Sequence, residues 1–226
     1  MKAKVIAIDG PAASGKSTIA NRVAAFLDIP YINTGNMYRA ITWALQQRGV
    51  APTPENSIAI AAVLDSLTLE YRPDGKVGYE LYLNNLPVDN AIRSPEVTAL
   101  VSSTAALPEV RAWLLQKQRD YTRLGLLVME GRDIGTVVFP NAEFKFFLTA
   151  SPEARARRRL AQSGETPENA TVQSVAAAIA ERDRIDSNRA VAPLKQAVDA
   201  TLIDSTDLSI DQVLEIIVTR VRNATH

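Results

Sequence analysis

A glycine-rich segment near the start of the chain has the residue types and spacing of a loop that binds phosphate. Residues 10–17 are Gly-Pro-Ala-Ala-Ser-Gly-Lys-Ser and fit the pattern G-x-x-x-x-G-K-[S/T]. Its two glycines permit the dihedral angles that turn backbone N–H groups toward an anion, and a helix that begins at Lys16 adds its positive end. In such a loop the lysine reaches the nucleotide's terminal phosphates, and the Ser17 hydroxyl binds Mg²⁺. The loop alone does not separate a kinase from a GTPase or a motor, although the sequence contains no guanine-reading Asn-Lys-x-Asp segment.

Arginines and carboxylates that could act on a second anionic substrate recur along the chain. Arg132 and Asp133 follow a predicted strand, at the edge of an open α/β sheet where ligands bind. Four arginines lie within five positions, namely Arg155, Arg157, Arg158 and Arg159. A second set has the spacing of a single helix face and consists of Arg182, Asp186 and Arg189. Each could bind phosphate. Each also fits an ordinary role, as a loop ion pair, an exposed basic helix face or a series of i, i+4 ion pairs. The residue pattern leaves both interpretations open, as it does for Arg39 on an earlier predicted helix.

The composition excludes several classes of chemistry. The chain of 226 residues has no cysteine, which excludes disulfides and thiolate nucleophiles, and its one histidine is the terminal His226, which excludes a Ser-His-Asp triad. Basic and acidic residues number 25 each, so the basic excess of a general nucleic-acid binder is missing. We find neither an apolar stretch of about 20 residues nor a signal peptide, and we expect a cytoplasmic protein.

The hydrophobic pattern predicts an α/β fold with a parallel sheet. Short apolar runs typical of buried strands occupy residues 5–8, 31–32, 126–129, 144–148 and 201–203. Helical patterns lie between them, over residues 37–47 and 110–121 and after Ser151, with a break at residues 163–167. The helix after the loop is predicted to bury Ile19, Val23, Phe26 and Leu27, and the last helix, capped by Ser209 and Gln212, to bury Ile210, Val213, Leu214, Ile217 and Val221. Alternating residues from 67 to 88, with turns at 73–75 and 84–85, predict an inserted antiparallel meander.

Longer motifs have the order and spacing of one known family. After the loop come Thr34-Gly35-x-x-Tyr38-Arg39, Glu130-Gly131-Arg132-Asp133-x-Gly135-Thr136-Val137-Val138-Phe139-Pro140 and Glu181-Arg182-Asp183-x-x-Asp186-x-x-Arg189-x-x-x-Pro193-Leu194. Over nearly the whole chain these segments closely resemble bacterial cytidylate (CMP) kinases, which are nucleoside monophosphate kinases. Two segments depart from the family pattern. Asn33-Thr34 stands where the family often has Asp-Ser, and Glu130 stands where Asp is common.

The resemblance implies a fold and a reaction. The fold is a single P-loop kinase domain over residues 1–226, a three-layer α/β sandwich with a parallel sheet. It would carry a monophosphate-binding insertion over about residues 35–103 and an arginine-rich helical lid over about residues 151–190. The implied reaction transfers the γ-phosphoryl group of ATP to CMP or dCMP, giving CDP or dCDP and ADP, with Mg²⁺ as cofactor.

The resemblance also implies a role for individual residues. ATP would contact Gly10, Pro11, Ala12, Ala13, Ser14, Gly15, Lys16, Ser17, Thr18 and the lid residues Arg155, Arg158 and Arg159. The CMP phosphate would be held by Thr34, Arg39, Arg132 and Arg189, the cytosine by Ser102, Arg111 and Asp133, and the sugar by Arg182 and Asp186. The catalytic set is Lys16, Arg132, Arg158, Arg182 and Arg189.

The implied chemistry suits these residue types. The phosphate of CMP is already an oxyanion and needs no general base, so the lack of a usable histidine is no obstacle. A carboxylate such as Asp133 favours the amino group of cytosine over the carbonyl of uracil. The alternatives within the class are kinases for UMP/CMP, AMP or other small acceptors.

From another class, the chain could be a P-loop ATP-binding nucleic-acid module whose arginines at 155–159 hold RNA. Its neutral net charge and 6% aromatic content argue against this. We expect small-molecule partners, namely ATP and CMP or dCMP, no nucleic-acid or membrane partner, and a monomer.

Overall fold

The computed structural model describes residues 2–74, 78–88, 90–162, 166 and 169–223, and within them helices alternate with strands. The strands are β1 (Ala3–Asp9), β2 (Tyr31–Asn33), β3 (Leu69–Pro73), β4 (Tyr79–Leu83), β5 (Leu86–Pro87), β6 (Leu127–Gly131), β7 (Ala142–Thr149) and β8 (Thr201–Asp204). The α-helices are α1 (Lys16–Leu27), α2 (Thr34–Gln47), α3 (Ser57–Asp65), α4 (Pro95–Ala106), α5 (Pro108–Arg119), α6 (Pro152–Leu160), α7 (Val172–Ser187) and α8 (Ile210–Arg222). None of the helices in these ranges is long and apolar enough to cross a membrane.

Five strands form the predicted parallel sheet, in the order β2-β6-β1-β7-β8. The central strand β1 pairs with β6 through Val5–Leu127 and with β7 through Ile6–Phe144. Because the strands are parallel, the segments that follow β1, β2 and β6 all begin at the same edge of the sheet. This edge therefore brings together the phosphate loop, Thr34 and the segment that begins at Arg132.

Alternate side chains of β1 enter two separate hydrophobic cores, which makes the fold a three-layer sandwich. Val5 and Ala7 pack with residues of α2 and α5, whereas Ile6 and Ile8 pack with residues of α1 and α8. All four β1 side chains are fully buried. The near-continuous apolar run that predicted a strand buried on both faces is thus confirmed.

The predicted meander is a separate antiparallel sheet of β3, β4 and β5. Its register pairs Leu69 with Leu83, and both side chains join the core that also contains α2. Asn84 and Asn85, with φ of 49° and 66°, turn the chain from β4 into β5. The tip of the first predicted turn, at residues 75–77, lies outside the described residues.

Some local predictions differ from the structure. Phe26 is 51% exposed, because the small Ala20 and Ala24 shift the buried stripe of α1 and leave Phe26 on its flank, next to Arg222. Ile210 is 44% exposed in the first turn of α8, although the predicted capping box of Ser209 is confirmed. Helix α2 begins at Thr34 rather than at residue 37, since the Asn33 side chain caps it. Except for Thr166, the predicted break at 163–167 lies outside the described residues.

Candidate active site

The phosphate loop joins the end of β1 to the start of α1, as its sequence predicts. Gly10 has a φ of 154°, and a Cβ atom there would lie 2.0 Å from the carbonyl oxygen of Leu148 in β7. Gly15 has a φ of 94° at the N-cap of α1. No other residue type fits the first position without moving β7, and the second requires the left-handed backbone that glycine adopts freely. The backbone geometry therefore requires glycine at both positions of the motif.

Lys16 is buried and turned back onto its own loop. Its Nζ donates hydrogen bonds to the carbonyl oxygen of Pro11 at 2.7 Å and to Ser14 Oγ at 3.4 Å. Burial, together with the positive charge of Arg132, holds the pKa of Lys16 well below its ordinary value. An anion in the loop would offset both effects and favour the charged amine.

A cavity of about 780 Å³ opens beside the loop and brings many of the predicted residues together. The predicted residues in its wall are Ala13, Ser14, Gly15, Lys16, Ser17, Thr18, Arg39, Arg132, Arg159 and Arg182. The wall also contains residues that the sequence did not single out as binding groups, among them Tyr31, Asn33, Tyr71 and Arg93. One cavity thus lies between a phosphate-binding loop and several guanidinium groups.

Several arginines of this cavity lie close to one another: Arg39 is buried, and Arg132, Arg159 and Arg182 are partly buried. Burial, together with the positive charges of Arg132 and Arg39, lowers the pKa of Arg182 to about 9. Burial and neighbouring arginines likewise lower the pKa of Arg39 and of Arg159 to about 10. These arginines remain charged at neutral pH, so the cavity has a strongly positive potential that suits a polyanion.

Asp186 lies between Arg132 and Arg189 at the edge of this cluster. It accepts a hydrogen bond from Arg132 Nε at 2.9 Å, and its Oδ1 is 3.1 Å from Arg189 Nη2. Burial alone would raise the pKa of Asp186, but the charges of Arg132, Arg189 and Arg182 outweigh it, so its pKa is lowered. Asp186 is therefore a buried anion that orients two of the predicted phosphate ligands.

Arg111 and Asp133, which are not in the cavity wall, meet near the C-terminal end of α4, the helix that carries Ser102. Arg111 and Asp133 form a buried ion pair. Arg111 Nη1 also donates to the carbonyl oxygen of Ala105 at 3.1 Å, and Arg189 Nη1 approaches the same oxygen at 3.4 Å. Within the described residues the buried Ser102 Oγ has no hydrogen-bond partner. A buried hydroxyl of this kind suits a ligand, and Arg189 connects the Ala105 carbonyl to Asp186.

The four arginines at positions 155–159 have three different environments. Arg155 pairs with Asp183 and donates to the carbonyl oxygen of Ala12 at 3.1 Å, whereas Arg158 Nη1 donates to that of Ser14 at 3.2 Å. Both therefore contact the phosphate loop through its backbone and are absent from the cavity wall, where Arg159 lies. Arg157 is exposed and pairs with Glu153 at 2.7 Å. The sequence did not reveal that Asp183 accepts the Ala12 N–H at 3.1 Å.

Asp9 is a second site residue that the sequence did not single out. Its carboxylate accepts the backbone N–H of Ile134 at 2.8 Å and that of Gly135 at 2.7 Å. These residues begin a π-helical turn (Ile134–Val138) directly after Arg132 and Asp133. Burial raises the pKa of Asp9 to about 7, and the two N–H groups oppose that rise. Asp9 thus ties the end of β1 to the segment that carries the acceptor-side charges.

Thr34, Ser17 and Glu130 complete the polar groups near the loop. Thr34 is buried, and its Oγ1 donates to the carbonyl oxygen of Glu130 at 2.7 Å. The described residues contain no cluster of three or more acidic or histidine side chains that could hold a metal by themselves. The Ser17 and Glu130 side chains do share the cavity wall. Mg²⁺ commonly takes one or two protein oxygens and completes its shell with phosphate oxygens and water, so this donor set fits it.

Comparisons with known proteins agree with this geometry. A solved structure of an uncharacterized protein from Eubacterium ventriosum has a TM-score of 0.50 and 14% identity, covers 98% of this chain and 99% of that one, and supports the fold alone. A bifunctional pantoate ligase/cytidylate kinase from Synechococcus sp. (strain RCC307) is 48% identical over 215 residues, or 95% of this chain. This chain spans only 42% of that relative's length.

A relative of similar length gives the clearest match. The cytidylate kinase of Lactiplantibacillus plantarum is 45% identical over 210 residues, which is 92% of this chain and 90% of that protein. The sequence model of one family, described as cytidylate kinase, matches residues 6–223, a range that includes the loop, both arginine sets and Asp186. By this match and this identity, the chain belongs to the cytidylate kinase family.

Proposed function

We propose that this chain transfers the γ-phosphoryl group of ATP to CMP, and to dCMP, giving ADP and CDP or dCDP. One observation carries the proposal: the wall of a single cavity contains both the phosphate loop and the guanidinium groups of Arg39, Arg132 and Arg182. A phosphoryl transfer between two nucleotides needs two anion sites within reach of each other. Family membership supports CMP as the acceptor.

On the donor side, the loop from Gly10 to Thr18 holds the phosphates of ATP. Lys16, released from Pro11 and Ser14, reaches the terminal phosphates. Arg158, next to the Ser14 carbonyl, and Arg159, in the cavity wall, stabilise the transferring group. We propose that residues of about 151–190 form a lid, because α6 and α7 pack together on the loop around Ala12. A lid that closes over both substrates would keep water from the phosphoryl group.

On the acceptor side, the phosphate of CMP binds to Thr34, Arg39, Arg132 and Arg189. Arg182 and Asp186 contact the sugar, and Ser102, Arg111 and Asp133 bind the cytosine. The unsatisfied hydroxyl of Ser102, on the helix whose last turn accepts a hydrogen bond from Arg111, supports this assignment together with the Arg111–Asp133 pair, since these groups are donors and acceptors of the kind that the edge of a base requires. The insertion of about residues 35–103 supplies Arg39 and Ser102 to this subsite.

The chemistry follows from the charges of the cavity. The CMP phosphate attacks without a general base, and the role of Lys16, Arg132, Arg158, Arg182 and Arg189 is to reduce repulsion and align the two phosphates. Ser17 and Glu130 are the residues that would hold Mg²⁺, whose chemistry when bound is to neutralise phosphate charge. We expect no covalent intermediate. We further propose that the chain acts in the cytoplasm, where both nucleotides are found, as a monomer without a nucleic-acid partner.

An acceptor panel tests the proposal. Purified protein is mixed with ATP, Mg²⁺ and each of CMP, dCMP, UMP and AMP, or with an oligoribonucleotide, and ADP release is measured by a coupled assay. We expect CMP and dCMP to be the best acceptors and Lys16→Ala to lose turnover by about two orders of magnitude or more. Arg157→Ala, which removes only an exposed ion pair, is the matched control. ATP hydrolysis that responds to the oligoribonucleotide, with CMP left unphosphorylated, would refute the assignment.

A further inference from the structure

Two of the residues that depart from the family pattern, Asn33 and Glu130, are joined by a hydrogen-bond chain. Tyr31 Oη donates to Glu130 Oε1, and Asn33 Nδ2 donates to Tyr31 Oη at 3.2 Å. The other end of the Asn33 amide, Oδ1, accepts the backbone N–H of Asn36 at 3.1 Å as the N-cap of α2. The hydroxyl of Tyr71 in β3 donates to the Asn33 carbonyl oxygen at 2.9 Å. The chain therefore extends from the inserted sheet to a carboxylate in the cavity wall.

The amide at position 33 fixes the direction of this chain. Because Oδ1 caps α2, the NH₂ group faces Tyr31, and the phenol oxygen must act as its acceptor. The single phenol proton is then left for Glu130. An aspartate at position 33 has no proton to donate at neutral pH, so two carboxylates would compete for the Tyr31 proton. The asparagine and the glutamate thus form one coupled arrangement in this chain.

Glu130 lies where a fixed carboxylate could serve the nucleotide site. It is the second-last residue of β6, is 3% exposed, pairs in the sheet with Asn33 and shares the cavity wall with Ser17 and Lys16. Tyr31 occupies Oε1, and within the described residues Oε2 accepts no hydrogen bond and is not among the buried unsatisfied atoms. A glutamate has one more rotatable bond than an aspartate, so it needs a partner to hold one rotamer.

We infer that Tyr31 and Asn33 are positioning residues, which hold Glu130 Oε1 so that Oε2 stays available to the divalent cation bound with the nucleotide at Ser17. This inference rests on the proposed function, because it concerns the cation of the donor nucleotide. Groups that orient a metal-binding carboxylate through a hydrogen bond strongly affect metal affinity. Tyr31 contacts the cation only through Glu130.

Two variants and a matched control test the inference. Tyr31→Phe removes the phenol donor, whereas Asn33→Asp keeps a good N-cap for α2 but adds the competing carboxylate. The control, Tyr82→Phe, removes a hydroxyl that also bonds a glutamate, Glu80 at 3.2 Å, on the inserted sheet outside the cavity wall. The affinity for ADP is measured by titration calorimetry, once with MgCl₂ and once with EDTA. The dissociation constant with EDTA divided by the dissociation constant with MgCl₂ gives the coupling to Mg²⁺.

We expect the wild type and Tyr82→Phe to share one ratio, and Tyr31→Phe and Asn33→Asp to lower it about tenfold, with the EDTA affinity of Tyr31→Phe unchanged. Raising the concentration of Mg²⁺ should restore their turnover. An unchanged ratio in both variants overturns the inference, as does an equal loss of affinity with and without the metal, which indicates only a structural role. If Tyr31→Phe fails to fold by thermal melting, Asn33→Asp decides the test. Wild-type protein that does not phosphorylate CMP refutes the proposed function, whereas CMP phosphorylation with unchanged ratios refutes this inference alone.

Discussion

Replacing Asp133 by asparagine is expected to weaken the preference for CMP over UMP. The Asp133 side chain is 6% exposed and pairs with an Arg111 side chain that is 7% exposed, so both charges are shielded from water. Asparagine keeps the size of the side chain and an acceptor oxygen for Arg111, but it loses the negative charge. Alanine is a poorer choice, since a buried arginine left without its partner costs about 3–5 kcal/mol of stability.

The magnitude follows from the hydrogen bond that the carboxylate would make to the amino group of cytosine. Hydrogen bonds to charged groups contribute about 1.5–3 kcal/mol, which corresponds to roughly 10- to 100-fold in kcat/KM for CMP. For UMP the variant gains, because the carboxylate no longer repels the carbonyl oxygen of uracil. The ratio of the two kcat/KM values should therefore fall by about tenfold or more.

The assay measures ADP release with CMP and with UMP for the wild type, Asp133→Asn and a control, Asp199→Asn. Asp199 also pairs with a basic residue, Lys145 at 2.8 Å, but its side chain is 66% exposed and is not among the predicted site residues. The control should keep the wild-type ratio. A ratio for Asp133→Asn within about twofold of the wild type would contradict the reasoning and remove Asp133 from base recognition.

Four further predictions test other parts of the site. Lys16→Ala should reduce turnover by about 100-fold or more in the coupled assay, with an unchanged far-UV circular dichroism spectrum. Folding raises the pKa of Asp9 from 3.8 to about 7, so the contribution of Asp9 to the free energy of unfolding falls by about 4 kcal/mol as pH rises between those values. Urea unfolding at several pH values should show this decrease in the wild type and not in Asp9→Asn. Asp183→Ala should lower stability by about 3 kcal/mol in the same assay, because it leaves the buried Arg155 charge unpaired. Arg157→Ala should change it by less than about 0.5 kcal/mol, and a larger loss would contradict its exposed position.

The fold and the place of the main motif could be predicted because both depend on local patterns. The apolar run at Val5–Ile8, the glycines at 10 and 15 and the capping box at Ser209 each specify backbone geometry over a few residues, and the structure confirms them. The antiparallel meander could be predicted in the same way, because apolar and polar residues alternate along its strands. The prediction that Phe26 is buried was wrong, because helical spacing alone does not show which flank of an apolar stripe the sheet covers.

The detailed partners of the charged residues could not be predicted, because they depend on how distant elements pack. Arg155, Arg157 and Arg159 are near neighbours in sequence, yet one contacts the loop, one is exposed and one lines the cavity. Asp9 looked like the end of a strand, and its bonds to Ile134 and Gly135 span more than a hundred residues. Residues this far apart in sequence can be predicted to meet only when the order of the strands in the sheet is known.

The charged residues of the cavity affect one another's pKa values. Burial and neighbouring charges lower the pKa of Arg39, Arg159 and Arg182 together, which means that the fold keeps these guanidinium groups charged against an unfavourable free energy. Asp186 offsets part of this repulsion and itself has a lowered pKa for that reason. A bound phosphate would reduce the remaining repulsion, so we expect anion binding to raise the free energy of unfolding of the chain. In the proposed reaction the same arginines would also stabilise the transferring phosphoryl group, as the polar groups of a preorganised site do.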